Sequence, residues 1–162
     1  MIRYARPEDH VAIAEVNDLA FGQPDEARLI ERLRADGDVL FELVAIEDGQ
    51  VVGHILFSRL FADRAEMFAA LAPVAVRPGL QRAGTGSALV RAGLESCKEY
   101  GAHGVLVLGH REYYPRFGFS AETAALVVAP YSGSPSFMAI ALEKGAFDAP
   151  LSVAYPEAFS GG

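Results

Sequence analysis

The chain has 162 residues, 51% of them hydrophobic, and a formal net charge of -7 at pH 7. Its length predicts one domain with a substantial core, and no apolar run approaches the roughly 18 residues that span a membrane. The acidic balance argues against nucleic acid as a partner, and a single cysteine without a signal peptide predicts a cytoplasmic protein that lacks disulfides.

The first half of the chain is predicted to form a strand, two helices and a hairpin. Gly22-Gln23-Pro24 separates the two helices, because glycine and proline interrupt the helical pattern. Asp48-Gly49 lies between two apolar runs and strongly predicts a hairpin turn. The predicted elements are a strand at 2–5, a helix from Pro7, a helix from Asp25 to Gly37, and strands at 43–46 and 51–57.

The second half is predicted to alternate strands and helices. Proline cannot donate a hydrogen bond to a neighbouring strand, so Pro73 predicts a bulge or a departure from that strand. Residues 145–162 are interpreted as an irregular tail packed on a domain formed by residues 1–144. The predicted elements are strands at 67–76 and 104–108, helices at 84–100 and 113–117, and strands at 126–128 and 137–142.

The run Gln81-Arg82-Ala83-Gly84-Thr85-Gly86 is the most informative motif, because it joins a predicted strand to a long helix. Such a turn presents backbone N–H groups without helical partners, and the helix dipole adds positive charge. Gly84 and Gly86 lack a Cβ, so a ligand can approach the backbone closely. The turn therefore predicts a diphosphate seat, with a plain helix start as the alternative. Ser87-Ala88 excludes a P-loop, and Leu89 excludes a Rossmann fingerprint.

Four segments give the chain a resemblance to the GNAT N-acetyltransferase superfamily. They are the strand and its exit at 71–78, the Q-x-x-G-x-G turn at 81–86, the strand at 105–108, and Tyr113-Tyr114-Pro115-Arg116-Phe117-Gly118-Phe119. The order of the elements from residue 2 to about residue 142 also resembles that of the family. Segments 53–58 and 108–110 resemble those of its YhbS-like bacterial branch.

The resemblance implies a mixed α/β fold whose mostly antiparallel sheet, flanked by helices, splays between its fourth and fifth strands. Acetyl-CoA is expected in that gap. Beyond Pro73, backbone groups of Val74 and Val76 would lack strand partners, so the amide-rich arm of the cosubstrate can act as a surrogate strand. The expected acetyl-CoA contacts are Val74, Ala75, Val76, Gln81, Arg82, Ala83, Gly84, Thr85, Gly86, Ser87 and Tyr114.

The implied reaction is direct acetyl transfer to a primary amine of a small molecule or of a protein N-terminus. An alkyl amine, with a pKa of roughly 10, is mostly protonated at neutral pH, so a base must remove its proton. The departing thiolate needs a proton or a hydrogen bond. Tyr114 stands four residues before Gly118, where the family places this acid. A buried structural tyrosine is the alternative.

The base has several candidates, because residues 68–76 lack the carboxylate that many family members carry on this strand. His110 follows the fifth strand at the open end of the gap, and histidine titrates near neutral pH. Glu26 lies near the break between the first two helices, where an exposed acid at a helix start is the alternative. His54 lies among apolar residues, which favours a satisfied buried histidine. A water chain without a single base is equally compatible.

Other features bear on what the chain binds. Cys97 shares a helix face with Leu89 and Leu94, so its thiol is predicted to pack in the core. The spacing of His and Cys predicts no metal site. A non-catalytic acetyl-CoA or CoA sensor or partner module is the competing function. The acceptor amine stays open, and a homodimer, if one forms, would use the late strands or the tail.

Overall fold

A computed structural model describes residues 1–160, and Gly161 and Gly162, the end of the predicted tail, lie outside the described residues. Its strands are β1 (Ile2–Tyr4), β2 (Val39–Glu47), β3 (Gln50–Arg59), β4 (Phe61–Ala62), β5 (Met67–Val76), β6 (Ala102–Leu108), β7 (Val127–Val128), β8 (Phe137–Ala141) and β9 (Leu151–Ala154). Its α-helices are α1 (His10–Phe21), α2 (Asp25–Ala35) and α3 (Thr85–Glu99). Short 3-10 helices lie at Pro7–Asp9, Tyr114–Phe117 and Glu157–Phe159.

The central sheet has six strands in the order β1-β2-β3-β5-β6-β8. Every neighbouring pair is antiparallel except β5 and β6, which run parallel and are connected in the chain by α3. One face of the sheet packs against α3, and Ile55 and Leu89 belong to the core cluster between them. The other face packs against α1 and α2, where Leu56 shares a core cluster with Ile13 and Ile30. The predicted mixed, mostly antiparallel α/β fold is confirmed.

The hairpin between β2 and β3 forms where Asp48-Gly49 predicts it. Both residues have positive φ angles, 50° at Asp48 and 75° at Gly49, and Glu47 pairs with Gln50 across the turn. Two consecutive positive φ angles match the right-handed twist of paired strands, which is why this dipeptide is favoured there.

Strand β5 has a bulge at Pro73 and loses one of its two neighbouring strands just before it. Leu71 pairs with Phe57 and Val74 pairs with Ile55, so β5 carries one extra residue between these pairs, and the predicted bulge is confirmed. On its other side, β5 pairs with β6 only as far as Ala70 opposite Leu106. Residues 71–76 therefore pair with β3 alone, and a gap opens beside them. This is the predicted splay between the fourth and fifth strands of the family.

The C-terminal segment is more regular than predicted. Instead of an irregular tail, it contains β9, which pairs with β4 and β7 in a second sheet of order β4-β9-β7. Leu151 and Val153 are buried, whereas Ser152 and Ala154 are exposed, so the strand has a period of two. Four residues are too few for that period to stand out in the sequence.

Strand β2 also begins at Val39, earlier than predicted, and the helix predicted from Pro7 starts as a 3-10 turn.

Candidate active site

The turn between β5 and α3 presents unpaired backbone donors. Within the described residues, the N–H groups of residues 84–87 donate to no protein acceptor, and Ala88 is the first to bond back, to the Gly84 carbonyl at 2.9 Å. Gly84 caps the 15-residue helix in a left-handed conformation, with a φ of 89°. Gln81 Nε2 anchors the turn by donating to the Val76 carbonyl at 3.1 Å. Unpaired donors at the positive end of a helix form a seat for an anion.

A cavity of about 640 Å³, here named the turn groove, lies over this turn and along the open side of β5. Arg82 and Arg116 bring two guanidinium groups to it, and both side chains are exposed. Of the predicted acetyl-CoA contacts, Ala75, Ala83 and Thr85 do not line it. The groove is lined by Val74, Val76, Gln81, Arg82, Gly84, Gly86, Ser87, His110, Tyr113, Tyr114 and Arg116.

The alternation of β5 explains why Ala75 differs from its two neighbours. Arg77 donates its N–H to the Val52 carbonyl at 2.8 Å, so two residues earlier Ala75 also directs its backbone groups toward β3. The backbone groups of Val74 and Val76 then point into the gap beside β6. The side chain of Ala75 is 2% exposed and packs in the core under α1. The structure therefore places Ala75 away from the groove.

Tyr114 is held by aromatic packing at the inner end of the groove. Its ring makes edge contacts with Tyr113 and Phe119 at centroid distances of 5.1 and 5.7 Å. Gly109 lies against the same ring so closely that a Cβ there would overlap it. Burial, with a smaller contribution from Tyr113, raises the pKa of Tyr114 to about 12. Its hydroxyl therefore stays protonated at neutral pH, and it makes no hydrogen bond within the described part of the chain.

A second cavity of about 370 Å³, here named the aromatic chamber, lies on the other side of Tyr114. Val74, His110 and Tyr114 line both cavities, so the turn groove and the chamber meet at these residues. The rest of the chamber is lined by Phe21, Glu26, Leu29, Leu71, Ala72, Pro73, Leu108, Gly109, Tyr131, Tyr155 and Phe159.

All three predicted catalytic residues border the chamber. His110 is exposed, and its carbonyl accepts the N–H groups of Tyr113 and Tyr114 at 3.1 and 3.3 Å. Its backbone is therefore tied to the segment that carries the tyrosine. Glu26 reaches the chamber from α2, half-buried, and its carboxylate accepts hydrogen bonds from Gln23 Nε2 at 3.2 and 3.3 Å. The structure thus brings Tyr114, His110 and Glu26 to one cavity.

His54 lies away from both cavities in a buried polar network. Its Nε2 lies 2.8 Å from Glu42 and its Nδ1 lies 3.2 Å from the Asn17 amide, while Arg34 holds Glu42 through two hydrogen bonds. Asn17 donates to Nδ1, so Nε2 carries the proton. Burial lowers the pKa of His54. Burial opposes ionisation of Glu42 too, but hydrogen bonds from His54 and Arg34 outweigh it and lower its pKa to about 2. His54 is a satisfied buried histidine.

Cys97 is fully buried in the core under α3, as its helix position predicted. Burial raises the pKa of its thiol to about 12, so the reactive thiolate is suppressed at neutral pH. Within residues 1–160, no group of three or more His, Cys, Asp or Glu side chains is arranged to hold a metal ion. In the same residues, no helix has the length and apolar character needed to cross a membrane.

Several residues line these cavities although the sequence alone did not assign them to the site. Arg116 stacks over the Tyr113 ring at 4.6 Å and donates from Nε to the Tyr113 carbonyl at 2.9 Å, which positions its charge over the turn groove. Tyr131, Tyr155 and Phe159 reach the chamber from a late loop and the C-terminal segment. Their aromatic character is visible in the sequence, but their common destination depends on the second sheet.

Known proteins share this sequence and this architecture. The sequence profile of the Acetyltransferase (GNAT) family matches residues 9–119. The chain belongs to the GNAT acetyltransferase family. This membership confirms the predicted family, and the Q-x-x-G-x-G turn and the Tyr113–Phe119 segment are among the features of the sequence that pointed to it.

Two similar proteins of Escherichia coli K12 are named uncharacterized N-acetyltransferases. YjhQ is 42% identical over 113 residues, which are 66% of this chain and 62% of YjhQ. YhbS is 36% identical over 121 residues, which are 74% of this chain and 72% of YhbS. This chain thus spans about three fifths of YjhQ and somewhat more of YhbS. The similarity to YhbS confirms the predicted bacterial branch.

Solved GNAT structures resemble the whole described fold. The crystal structure of E. coli YhbS in complex with CoA has a TM-score of 0.90 and 32% identity, covering 99% of this chain and 91% of that one. A GNAT family acetyltransferase from Brucella melitensis in complex with acetyl-CoA has a TM-score of 0.81 and 35% identity, covering 98% and 97%.

Proposed function

We propose that this GNAT protein transfers the acetyl group of acetyl-CoA to a primary amine of a small molecule or of a protein N-terminus. The observation that carries the proposal is the junction, where Val74, His110 and Tyr114 line both the turn groove and the aromatic chamber. A thioester from the groove and an amine from the chamber can meet there. The CoA and acetyl-CoA complexes of two similar GNAT proteins support this cosubstrate.

The residues of the turn groove fit acetyl-CoA. The unpaired N–H groups of residues 84–87 suit a pyrophosphate. Gly84 has no Cβ, and the space where one would lie is open, so the pyrophosphate can approach the backbone closely. The guanidinium groups of Arg82 and Arg116 would place positive charge beside the negatively charged phosphates. The backbone groups of Val74 and the N–H of Val76, whose carbonyl already accepts from Gln81, would pair with the amides of the pantetheine arm, as a neighbouring strand would.

Tyr114 would act as the general acid. The amine nitrogen attacks the thioester carbonyl carbon, an N–C bond forms, and the C–S bond breaks with its electron pair on sulfur. Tyr114 donates its hydroxyl proton to that sulfur or to the thiolate. Burial keeps this hydroxyl protonated, since its pKa lies near 12, and a general acid contributes roughly 10²–10⁴ in rate.

His110 is the base in this proposal, because it lines both cavities and an imidazole accepts protons near neutral pH. It would take the amine proton directly or through one water. Glu26 borders the chamber from the opposite side and is the alternative base. Transfer leaves the acetamide product, CoA and a proton that returns through these groups to solvent.

The proposal is tested by measuring CoA release from acetyl-CoA with a panel of amines, using the full chain and its Tyr114→Phe variant. We expect amine-dependent release that the variant loses while it still binds acetyl-CoA. Binding without amine-dependent release from the unaltered chain would contradict the proposal and support the non-catalytic sensor.

A buried single cysteine suits a reducing compartment, so we place the enzyme in the cytoplasm as part of the same proposal.

A further inference from the structure

The aromatic chamber carries information about the acceptor that the GNAT fold alone does not. Resting on the proposed function, we propose that the acceptor is a small-molecule amine with a compact apolar body, such as an arylalkylamine. The chamber would bind that body while its amine nitrogen lies at the junction with the turn groove. A polyamine, an amino sugar, a phosphorylated amine or an extended peptide would not fit the same surfaces.

The charges of the chamber exclude several amine classes. Of the described residues that line it, Glu26 is the one carboxylate, and none is Lys or Arg. A polyamine would need several carboxylates for its several ammonium groups, and a phosphorylated amine would need a basic side chain. One carboxylate suits the single ammonium of a monoamine as it enters, before the base removes its proton.

The hydrogen-bonding groups of the chamber are equally sparse. Apart from Glu26 and His110, its polar side chains are the hydroxyls of Tyr114, Tyr131 and Tyr155. An amino sugar carries more hydroxyls than these three can pair, and each unpaired one would lose a water partner without gaining a protein partner. The aliphatic side chains of Leu29, Leu71 and Leu108 form part of the remaining wall, and this surface binds an apolar body by excluding water.

The C-terminal segment closes the chamber on one side. Tyr155 makes edge contacts with Tyr131 and Phe159 at centroid distances of 5.3 and 5.4 Å, so the three rings brace one another. Phe159 and the buried Ala158 also pack against the core under α2. The three rings therefore form one aromatic wall of the chamber, which suits a compact acceptor.

The volume of the chamber agrees with a small acceptor. At about 370 Å³ it lies near the lower end of ligand sites, which hold roughly 300–1,000 Å³. Aromatic rings also attract an ammonium group through their faces, so the same walls favour a cationic amine on entry. Size, charge and wall chemistry therefore agree on a monoamine with one apolar group.

The test compares phenethylamine with spermidine, glucosamine and an alanine-initiated hexapeptide as acceptors. We expect kcat/KM for phenethylamine to exceed each of the others by about tenfold or more, the size of effect that a lost apolar or unpaired polar contact produces. Titration of phenethylamine into the CoA-saturated protein, followed by calorimetry, gives a binding readout that needs no turnover. We expect saturable heat with phenethylamine and none with spermidine.

Phe159→Ala sharpens the test, with Phe61→Ala as a matched control outside the chamber under Arg59. The chamber variant should raise KM for phenethylamine about fivefold or more while the Kd for acetyl-CoA is unchanged, and the control should change neither. Equal or better use of spermidine, glucosamine or the peptide would overturn the acceptor class and leave acetyl transfer intact. Failure of every amine with acetyl-CoA bound would contradict the proposed function itself, and this inference with it.

Discussion

The turn groove and the aromatic chamber meet at Tyr114 but are built in different ways. The anion seat and the strand edge of the groove are formed by backbone, the unpaired N–H groups of residues 84–87 and the open side of Val74 and Val76. The chamber is formed by side chains from α1, α2, β5, the residues after β6, a late loop and the C-terminal segment. A backbone site tolerates changes in side chains around it, whereas a side-chain site changes with each of them. The two cavities therefore suit a constant cosubstrate and a specific acceptor.

The largest expected effect is at the junction, where one change should leave both cavities intact. Tyr114→Phe removes only a hydroxyl, so we expect kcat to fall by roughly 10²–10⁴ with the Kd for acetyl-CoA unchanged. The matched control is Tyr113→Phe, which removes the hydroxyl that lies 3.1 Å from Ser87 Oγ and should cost kcat less than about threefold. If Tyr114→Phe keeps more than a third of the wild-type kcat, the tyrosine is structural.

A change confined to the turn groove should act on the cosubstrate alone. Gly84→Glu places a carboxylate at the anion seat, and we expect the Kd for acetyl-CoA to rise about tenfold or more, measured by calorimetry. Gly84→Ala is the control, since any side chain is strained at a φ of 89° but alanine adds no charge. An unchanged Kd in a folded Gly84→Glu protein would remove the pyrophosphate from this turn.

His110 belongs to both cavities and should affect the pH dependence of transfer. We expect His110→Ala to change the pH profile of kcat/KM and to cost about tenfold in rate, because water replaces an exposed base only in part. Glu26→Gln is the companion variant. If the pH profile changes in Glu26→Gln and not in His110→Ala, the base is the carboxylate on α2.

The smallest effect on either cavity is expected from the buried network around Glu42. Its pKa near 2 lies below the ordinary 4.5, so its ionised form stabilises the fold above about pH 4.5, and this contribution is lost as the pH falls toward 2. Glu42→Gln should lower Tm at neutral pH without changing kcat. The difference in Tm between this variant and the wild type should become smaller as the pH is lowered. The exposed Glu15→Gln is the control, and a Tm gap that is independent of pH would contradict the assignment.

The parts of the fold that lie close together in the sequence were predictable. The hairpin turn depends on Asp48-Gly49 alone and the bulge on Pro73, whereas the splay is expected from the family resemblance. The unpaired donors of the glycine turn follow from any helix that starts there. These features need no knowledge of distant residues.

The rest of the site depends on long-range packing. The motif predicts Ala75 as a cosubstrate contact together with Val74 and Val76. A strand reverses the direction of its backbone groups at every residue, so Val74 and Val76 face the gap while Ala75 faces β3. The ring wall of Tyr131 and Tyr155 exists because β9 joins β7 in the second sheet. That pairing links short strands across a loop, and nothing local in either strand signals it.

The central claim is that acetyl transfer occurs where the two cavities meet, and a crystal structure with acetyl-CoA tests it most directly. We expect the pyrophosphate on the N–H groups of residues 84–87 and the thioester sulfur within about 3.5 Å of the Tyr114 hydroxyl. The acetyl carbon should face the aromatic chamber beside His110. A thioester bound away from Tyr114, or an acetyl group pointing out of the chamber, would contradict the account.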